Sequence, residues 1–170
     1  MAPQTSIDLI ATLTSSLETL RESLAGITEE DARKCPAPGQ WSAIDCVEHL
    51  TIAEQATLAR LKTAEPLAEP VYLPEREAGM TAGVLSRDTR VQGPPAVMPT
   101  GRFASLSEAL EAFAAARGQT IEYVQTVPMR SLQVTHPFFG PISAYELAAL
   151  AAAHAVRHSL QIREIRQHVE

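Results

Sequence analysis

Two histidines, His154 and His158, stand four residues apart in a stretch of strong helical period. At about 100° per residue they share one helical face, together with Leu147, Leu150, Ala151, Gln161, Ile162 and Ile165. An imidazole on an apolar stripe is a polar ring that must find a partner. Two readings follow: hydrogen-bonded core histidines, or a pair of ligands holding one metal ion through nitrogens at about 2.0–2.1 Å. His49, in another helical stretch, lies beside Ile52, Ala53 and Ala56 rather than on the line of Val47, Leu50, Leu58 and Leu61. It offers a third imidazole. Three His ligands with one position left for water or substrate describe a catalytic rather than a closed structural site. Spacing alone does not bring the two helices together.

The surrounding residues admit a chemical and a structural reading each. Asp45 precedes His49 by one helical turn, so it is a candidate general base or a carboxylate supporting a ligand. As the third residue after Ser42 it also suits a helix cap. Glu54 interrupts the apolar face of its helix, and Arg117 interrupts the line of Leu110, Phe113, Ile121 and Val124. A charge in such a stripe is paired or near water. Glu54 and Arg117 are therefore expected to form a buried ion pair with each other or with Arg157. The sharper alternative has Arg117 or Arg157 holding an anionic substrate group through its planar fork of donors. The candidate catalytic residues are Asp45, Glu54 and Arg157. Cys46 is either an extra thiolate ligand or a small buried hydrophobe. His136 is a solvated loop residue or a group at the mouth of the bundle, and Trp41 a packing anchor.

Four long helices must position these groups. The first runs from about Ser6 to Gly26, with Ile7, Ile10, Leu13, Leu17, Leu20 and Leu24 spaced by threes and fours. Thr28 to Lys34 adds a short helical turn before the Pro36–Gly39 break. The second helix runs from Ser42 to about Ala64, the third from Ser105 to Val127, and the fourth from Ser143 to His168. Each of these three opens on a Ser followed three residues later by Asp or Glu. Glu65 to Ala104 has no long period and holds six of the 12 Pro and four of the 8 Gly. It reads as a crossover wrapped on the bundle, with a short helix near Glu75 to Leu85. The segment with Pro137, Gly140 and Pro141 reads as a loop. The expected fold is all-α: one domain over residues 1–170, a four-helix bundle with a long crossover between helices two and three.

Composition narrows the function classes. The chain has 170 residues, 14 Lys+Arg against 20 Asp+Glu and a net charge of −6, which argues against a nucleic-acid partner. Apolar residues make up 45% and aromatic residues 5%, and the 27 Ala favour closely packed helices. No run of about 18 apolar residues is present, and Met1–Ser6 lacks a basic-then-apolar leader. With two Cys in no metal-knuckle or framework spacing, a cytoplasmic location with reduced thiols is expected.

Three segments carry a family resemblance. Trp41–Leu50 (WSAIDCVEHL) resembles the Trp-Ser…Glu…His-Leu signature of the DinB-like (DinB/YfiT) superfamily, and His154–Ile162 resembles its His-x-x-Arg-His-x-x-Gln-Ile signature. His136–Pro141 is similar to its His-Pro-x-x-Gly-Pro lead-in. Asp45 departs from the pattern, where many members carry Glu. The resemblance implies a bundle binding a divalent metal, zinc or nickel foremost and iron next, through His49, His154 and His158, and often a homodimer. It further implies a small-molecule substrate. Relatives include S-transferases using low-molecular-weight thiols such as bacillithiol or mycothiol, and a maleylpyruvate isomerase. The expectation is a metal-dependent transferase of a low-molecular-weight thiol onto a small electrophile. The alternatives are a metal-dependent hydrolase, with Asp45 beside the ion, and a non-catalytic metal-binding or stress-related bundle.

Overall fold

The computed structural model describes residues 4–170, with side chains from residue 8 onward. The leader reading at residues 1–3 and the side chain of Ile7 lie outside the described residues. Helices are α1 (Gln4–Leu24), α2 (Glu29–Ala32), α3 (Ala43–Leu61), α4 (Pro74–Leu85), α5 (Leu106–Thr126) and α6 (Ala144–Val169). Short strands are β1 (Glu65–Pro66), β2 (Leu132–His136) and β3 (Gly140–Ser143), and 3-10 turns cover Pro95–Val97 and Met129–Ser131. The long helices α1, α3, α5 and α6 form the four-helix bundle, and α4 is the helix expected inside the crossover. Among the described residues no helix is long and apolar enough to cross a membrane.

Helix starts follow the serine signals. Ser42 and Asp45 cap each other reciprocally (Asp45 N–H to Ser42 Oγ 3.3 Å, Ser42 N–H to Asp45 Oδ2 2.9 Å). Ser143 and Glu146 repeat this at 3.2 and 2.7 Å. Ser105 accepts from the Glu108 amide at 3.0 Å, but the Glu108 carboxylate turns to the Ala104 amide at 2.7 Å, so this box is only half formed. The helix expected to reach Ala64 stops at Leu61, because the next residues enter a sheet.

That sheet corrects the loop reading of 132–143. β2 and β3 are an antiparallel hairpin in register Gln133↔Ser143, Val134↔Ile142, Thr135↔Pro141 and His136↔Gly140, and β1 adds to the other edge of β2. The paired Val134 and Ile142 point into the core and are buried. Gly140 closes the Pro137–Phe139 turn at φ +67°, a left-handed conformation without a Cβ penalty only for glycine. Pro137, Gly140 and Pro141 interrupt this stretch, leaving only the short alternation of Leu132–Thr135 as a strand signal.

The bundle's order explains the crossover. α1 packs on α5 and α6, and α3 packs on the same two helices, so α1 and α3 sit diagonally, as do α5 and α6. The apolar core has two parts. One gathers Leu17, Leu20, Leu50, Phe113 and Ile162, the other Leu9, Leu13, Leu61, Val124 and Leu147. The order in which each helix meets these parts makes α3 parallel to its neighbour α5. Parallel neighbours need a connection as long as the helix itself, about 28 Å for nineteen residues, and residues 62–105 supply it. On its way α4 lies along α6.

Between the two parts sits Arg117, fully buried. Its Nε and Nη2 donate to the Glu54 carboxylate at 2.8 and 2.9 Å. Nη1 donates to Leu13 O at 2.9 Å and to Ser16 Oγ, and Nη2 also donates to Ala151 O at 3.1 Å. All five guanidinium protons are used, on three other helices. The ion-pair reading of Glu54 and Arg117 is the observed one, and Arg117 has no donor left for a substrate anion. Arg117→Met leaves Glu54 as an unpaired buried carboxylate and is expected to lower unfolding free energy by about 3–5 kcal/mol. Urea unfolding measures it, and a loss below 1 kcal/mol would contradict this account.

At the N-terminus of α6, burial works to raise the Glu146 carboxyl. Donation from Arg76 (2.6 Å from both Nε and Nη2) and from the Ser143 amide outweighs it and holds the pKa below its ordinary 4.5. A depressed carboxylate stabilises the fold above its unfolded pKa, and that contribution fades as pH falls through the folded value. Glu146→Gln should therefore flatten the loss of stability below pH 4.5. Tm measured against pH for both proteins tests this; parallel curves would refute it.

Candidate metal centre

α3 and α6 are antiparallel neighbours, and where they face each other the three predicted imidazoles meet. His154 Nε2 lies 3.1 Å from His49 Nε2 and 3.0 Å from His158 Nε2. One nitrogen from each ring lies within 4.8 Å of the others. Two nitrogens bound to a common ion at about 2.0–2.1 Å stand about 3.3–3.4 Å apart at the tetrahedral angle and about 2.8–3.0 Å apart at a right angle. The helices thus hold the rings at ligand spacing. His49 and His158 are buried at 5% and 6% exposure, and His154 is the most accessible of the three.

The outer nitrogens explain which way the inner ones face. His49 Nδ1 is 2.7 Å from Val97 O, a group that only accepts, so Nδ1 carries the proton and Nε2 presents a lone pair inward. His158 Nδ1 is 2.9 Å from Gln161 Oε1 and is arranged alike. Burial pushes all three imidazoles toward the neutral form; His154 goes down to about 3, with His49, Arg157 and Arg117 adding to burial, and on His158 the other two rings and Arg157 act in the same direction. Neutral rings with converging lone pairs are a donor set for a cation. The fit to a divalent ion is good on this ground.

Trp41 covers the group, its ring centroid 4.8 Å from His49 and 5.9 Å from His158. The anchor expected at the helix start is also a wall of the site. The crossover forms the other wall. Its Gly93 runs so close that a Cβ there would stand 3.8 Å from His49 Cε1 and 3.1 Å from a Val97 methyl.

The candidate catalytic residues have other partners. The Asp45 carboxylate accepts from the Ser42 amide and from its hydroxyl at 2.8 Å, in the helix cap. Glu54 belongs to Arg117. Arg157 donates to the carbonyls of Val84 (3.1 Å), Ser86 and Thr89 (2.8 Å), fastening the crossover to α6. The Cys46 thiol is fully buried among apolar side chains, which pushes its pKa up, and it lies outside the imidazole group. His136 sits in the hairpin, its Nδ1 accepting from the Phe138 amide at 3.1 Å. His154 is eleven positions along α6 from the hairpin's end at Ser143, about 16 Å, so His136 is not at this site.

Sequence reasoning left out Glu48. Buried beside His49, it accepts from the Thr100 (2.6 Å), Gly101 (3.0 Å) and Arg102 (3.1 Å) amides and ties down the far end of the crossover. The available signal was a carboxylate on a buried helical turn with no cation at helical spacing.

The model of the DinB superfamily matches residues 12–162. The chain belongs to the DinB superfamily. No curated protein matches it. Among solved structures, this DinB chain resembles YfiT from Bacillus subtilis, described as a probable metal-dependent hydrolase with an unusual four-helix bundle topology. The TM-score is 0.65 at 17% identity, covering 98% of this chain and 89% of that one. A conserved protein from Enterococcus faecalis gives 0.65 at 20% identity over 95% and 94%. A four-helix bundle protein, TT2238, gives 0.52 at 18% identity over 95% and 98%. At these identities the likeness is one of DinB fold.

The single Trp makes the centre observable. Co(II) or Cu(II) added to metal-free protein is expected to quench Trp41 fluorescence at one equivalent, and His154→Ala to abolish quenching at that concentration. Equal quenching of both proteins would sink this expectation.

Proposed function

We propose that this protein binds one divalent metal ion through His49, His154 and His158 and is a metal-dependent enzyme acting on a small molecule. The reading is carried by His154 Nε2, which lies 3.1 Å from His49 Nε2 and 3.0 Å from His158 Nε2, with one nitrogen of each ring within 4.8 Å of the others. An ion so held supplies Lewis acidity, lowering the pKa of a thiol or water at its remaining position. Zinc, nickel and iron all suit imidazole ligands.

Thiol transfer is the preferred reaction. The three carboxylates of α3 near the imidazoles are committed elsewhere: Asp45 to the cap, Glu48 to the crossover and Glu54 to Arg117. A substrate that brings its own ionisable nucleophile suits such a site. In this reaction a low-molecular-weight thiol releases its proton to solvent, sulfur forms a bond to carbon of the electrophile, and the leaving group departs with its electron pair. Trp41 and the crossover wall the site, and His49 and His158 hold their lone pairs inward for the cation. The second reading is hydrolysis, supported by the description of YfiT as a probable metal-dependent hydrolase. A non-catalytic metal-binding role is the third. The same proposal includes a homodimer in the cytoplasm, supported by the family resemblance and by two unpaired cysteines.

Protein purified without a His tag, stripped and reloaded, should retain one zinc or nickel per chain by elemental analysis. His154→Ala should bind at least ten-fold more weakly. Loaded protein should then convert a halogenated aromatic electrophile with a thiol but leave ester and amide substrates intact. Ester cleavage without thiol would select hydrolysis, and no stoichiometric metal in wild type would overturn the reading.

A further inference from the structure

The crossover does more than wall off the imidazoles. It reaches α6 through Arg87, whose Nη2 and Nε donate to the Glu164 carboxylate at 2.8 and 3.3 Å and whose Nη1 faces Gln161 Oε1 at 3.5 Å. Gln161 Oε1 is also the partner of His158 Nδ1. A guanidinium has no acceptor. It therefore turns the Gln161 oxygen, not the NH2, toward the space it shares with His158. The flipped amide would set donor against donor. With oxygen there, His158 must protonate Nδ1 and keep its lone pair on Nε2. At the crossover's other end the Val97 carbonyl imposes the same choice on His49. His154 Nε2 touches both inward nitrogens.

We propose that the crossover sets the tautomers of the candidate ligands, with Arg87 acting as a positioning residue on His158 through Gln161 and the Val97 carbonyl acting directly on His49. The ligand function of His158 then depends on a residue that is 71 positions away in the chain and that never touches the ring. Arg157 and Glu48, each adjacent in sequence to one of the three histidines, pin the strap that carries Arg87 and Val97. This rests on the metal-binding proposal for its consequence, but the tautomers themselves are a property of the metal-free chain.

Long-range proton–nitrogen correlation spectra of the full-length, metal-free protein test it first. His49 and His158 should show a protonated Nδ1 and a bare Nε2. A protonated Nε2 on His158 in wild type overturns the proposal without any variant. Zinc affinity, measured by competition with a chelator, follows. Gln161→Leu should weaken zinc binding about 10–100-fold, while Gln161→Glu, which still accepts from Nδ1, should stay within a few-fold of wild type. Arg87→Leu should give mixed His158 tautomers and weaker zinc binding, and Arg87→Lys should restore both. Wild-type affinity and a single tautomer in Arg87→Leu and Gln161→Leu would refute the role of Arg87. If wild type binds no zinc while its spectrum shows both expected tautomers, the metal reading falls and the tautomer assignment stands.

Discussion

The fold is organised around one buried guanidinium. Arg117 divides the apolar core into two parts and meets a partner on each of the other bundle helices. Five protons in a rigid planar fork can all be satisfied at only one relative register of those helices. Apolar side chains would tolerate several registers, because hydrophobic contact has little directional preference. The consequence reaches the imidazoles. Ala151, which accepts from Arg117, precedes His154 by one turn, and Glu54 follows His49 by little more than one. The contact that locks α3 to α6 thus lies beside the place where their histidines meet, and a slide of one turn, about 5.4 Å, would separate His49 Nε2 from His154 Nε2, which now stand 3.1 Å apart.

The connection between α3 and α5 is long because those helices are parallel neighbours, and its route decides what surrounds the imidazoles. It leaves α3 by pairing with the hairpin, lies along α6 as α4, and returns over His49 to Glu48. Its polar backbone cannot stay buried without partners. The side chains that satisfy it, Arg157 for the carbonyls at 84, 86 and 89 and Glu48 for the amides at 100–102, are sequence neighbours of the candidate ligands. Strap and centre are therefore one mechanical unit.

Charge shapes the centre as well. Three neutral rings leave a bound dication uncompensated, and the carboxylates nearest in sequence are committed to a cap, an amide cluster and a guanidinium. On the proposed reading, a fourth ligand that ionises, a thiol or a water, would supply the missing charge.

Much of this was legible in the chain. Helix lengths, their serine starts, the crossover with its embedded helix, and three histidines on inward faces follow from period and capping chemistry, which are local. The hairpin at 132–143 was not, since its alternation at Leu132–Thr135 is too short to stand out before Pro137, Gly140 and Pro141, and its pairing partner Glu65 is distant. The roles of Asp45, Glu54 and Arg157 were open for the same reason: a carboxylate or guanidinium advertises its charge in the sequence but not its partner. The sequence by itself determined which residues could serve as ligands and which helices carry them. Only the tertiary structure decided that the three rings converge, that Arg117 is spent on the fold, and that Val97 and Gln161 turn the lone pairs inward. Those outcomes depend on contacts between residues dozens of positions apart, where helix register and hydrogen-bond direction, rather than local propensity, set the geometry.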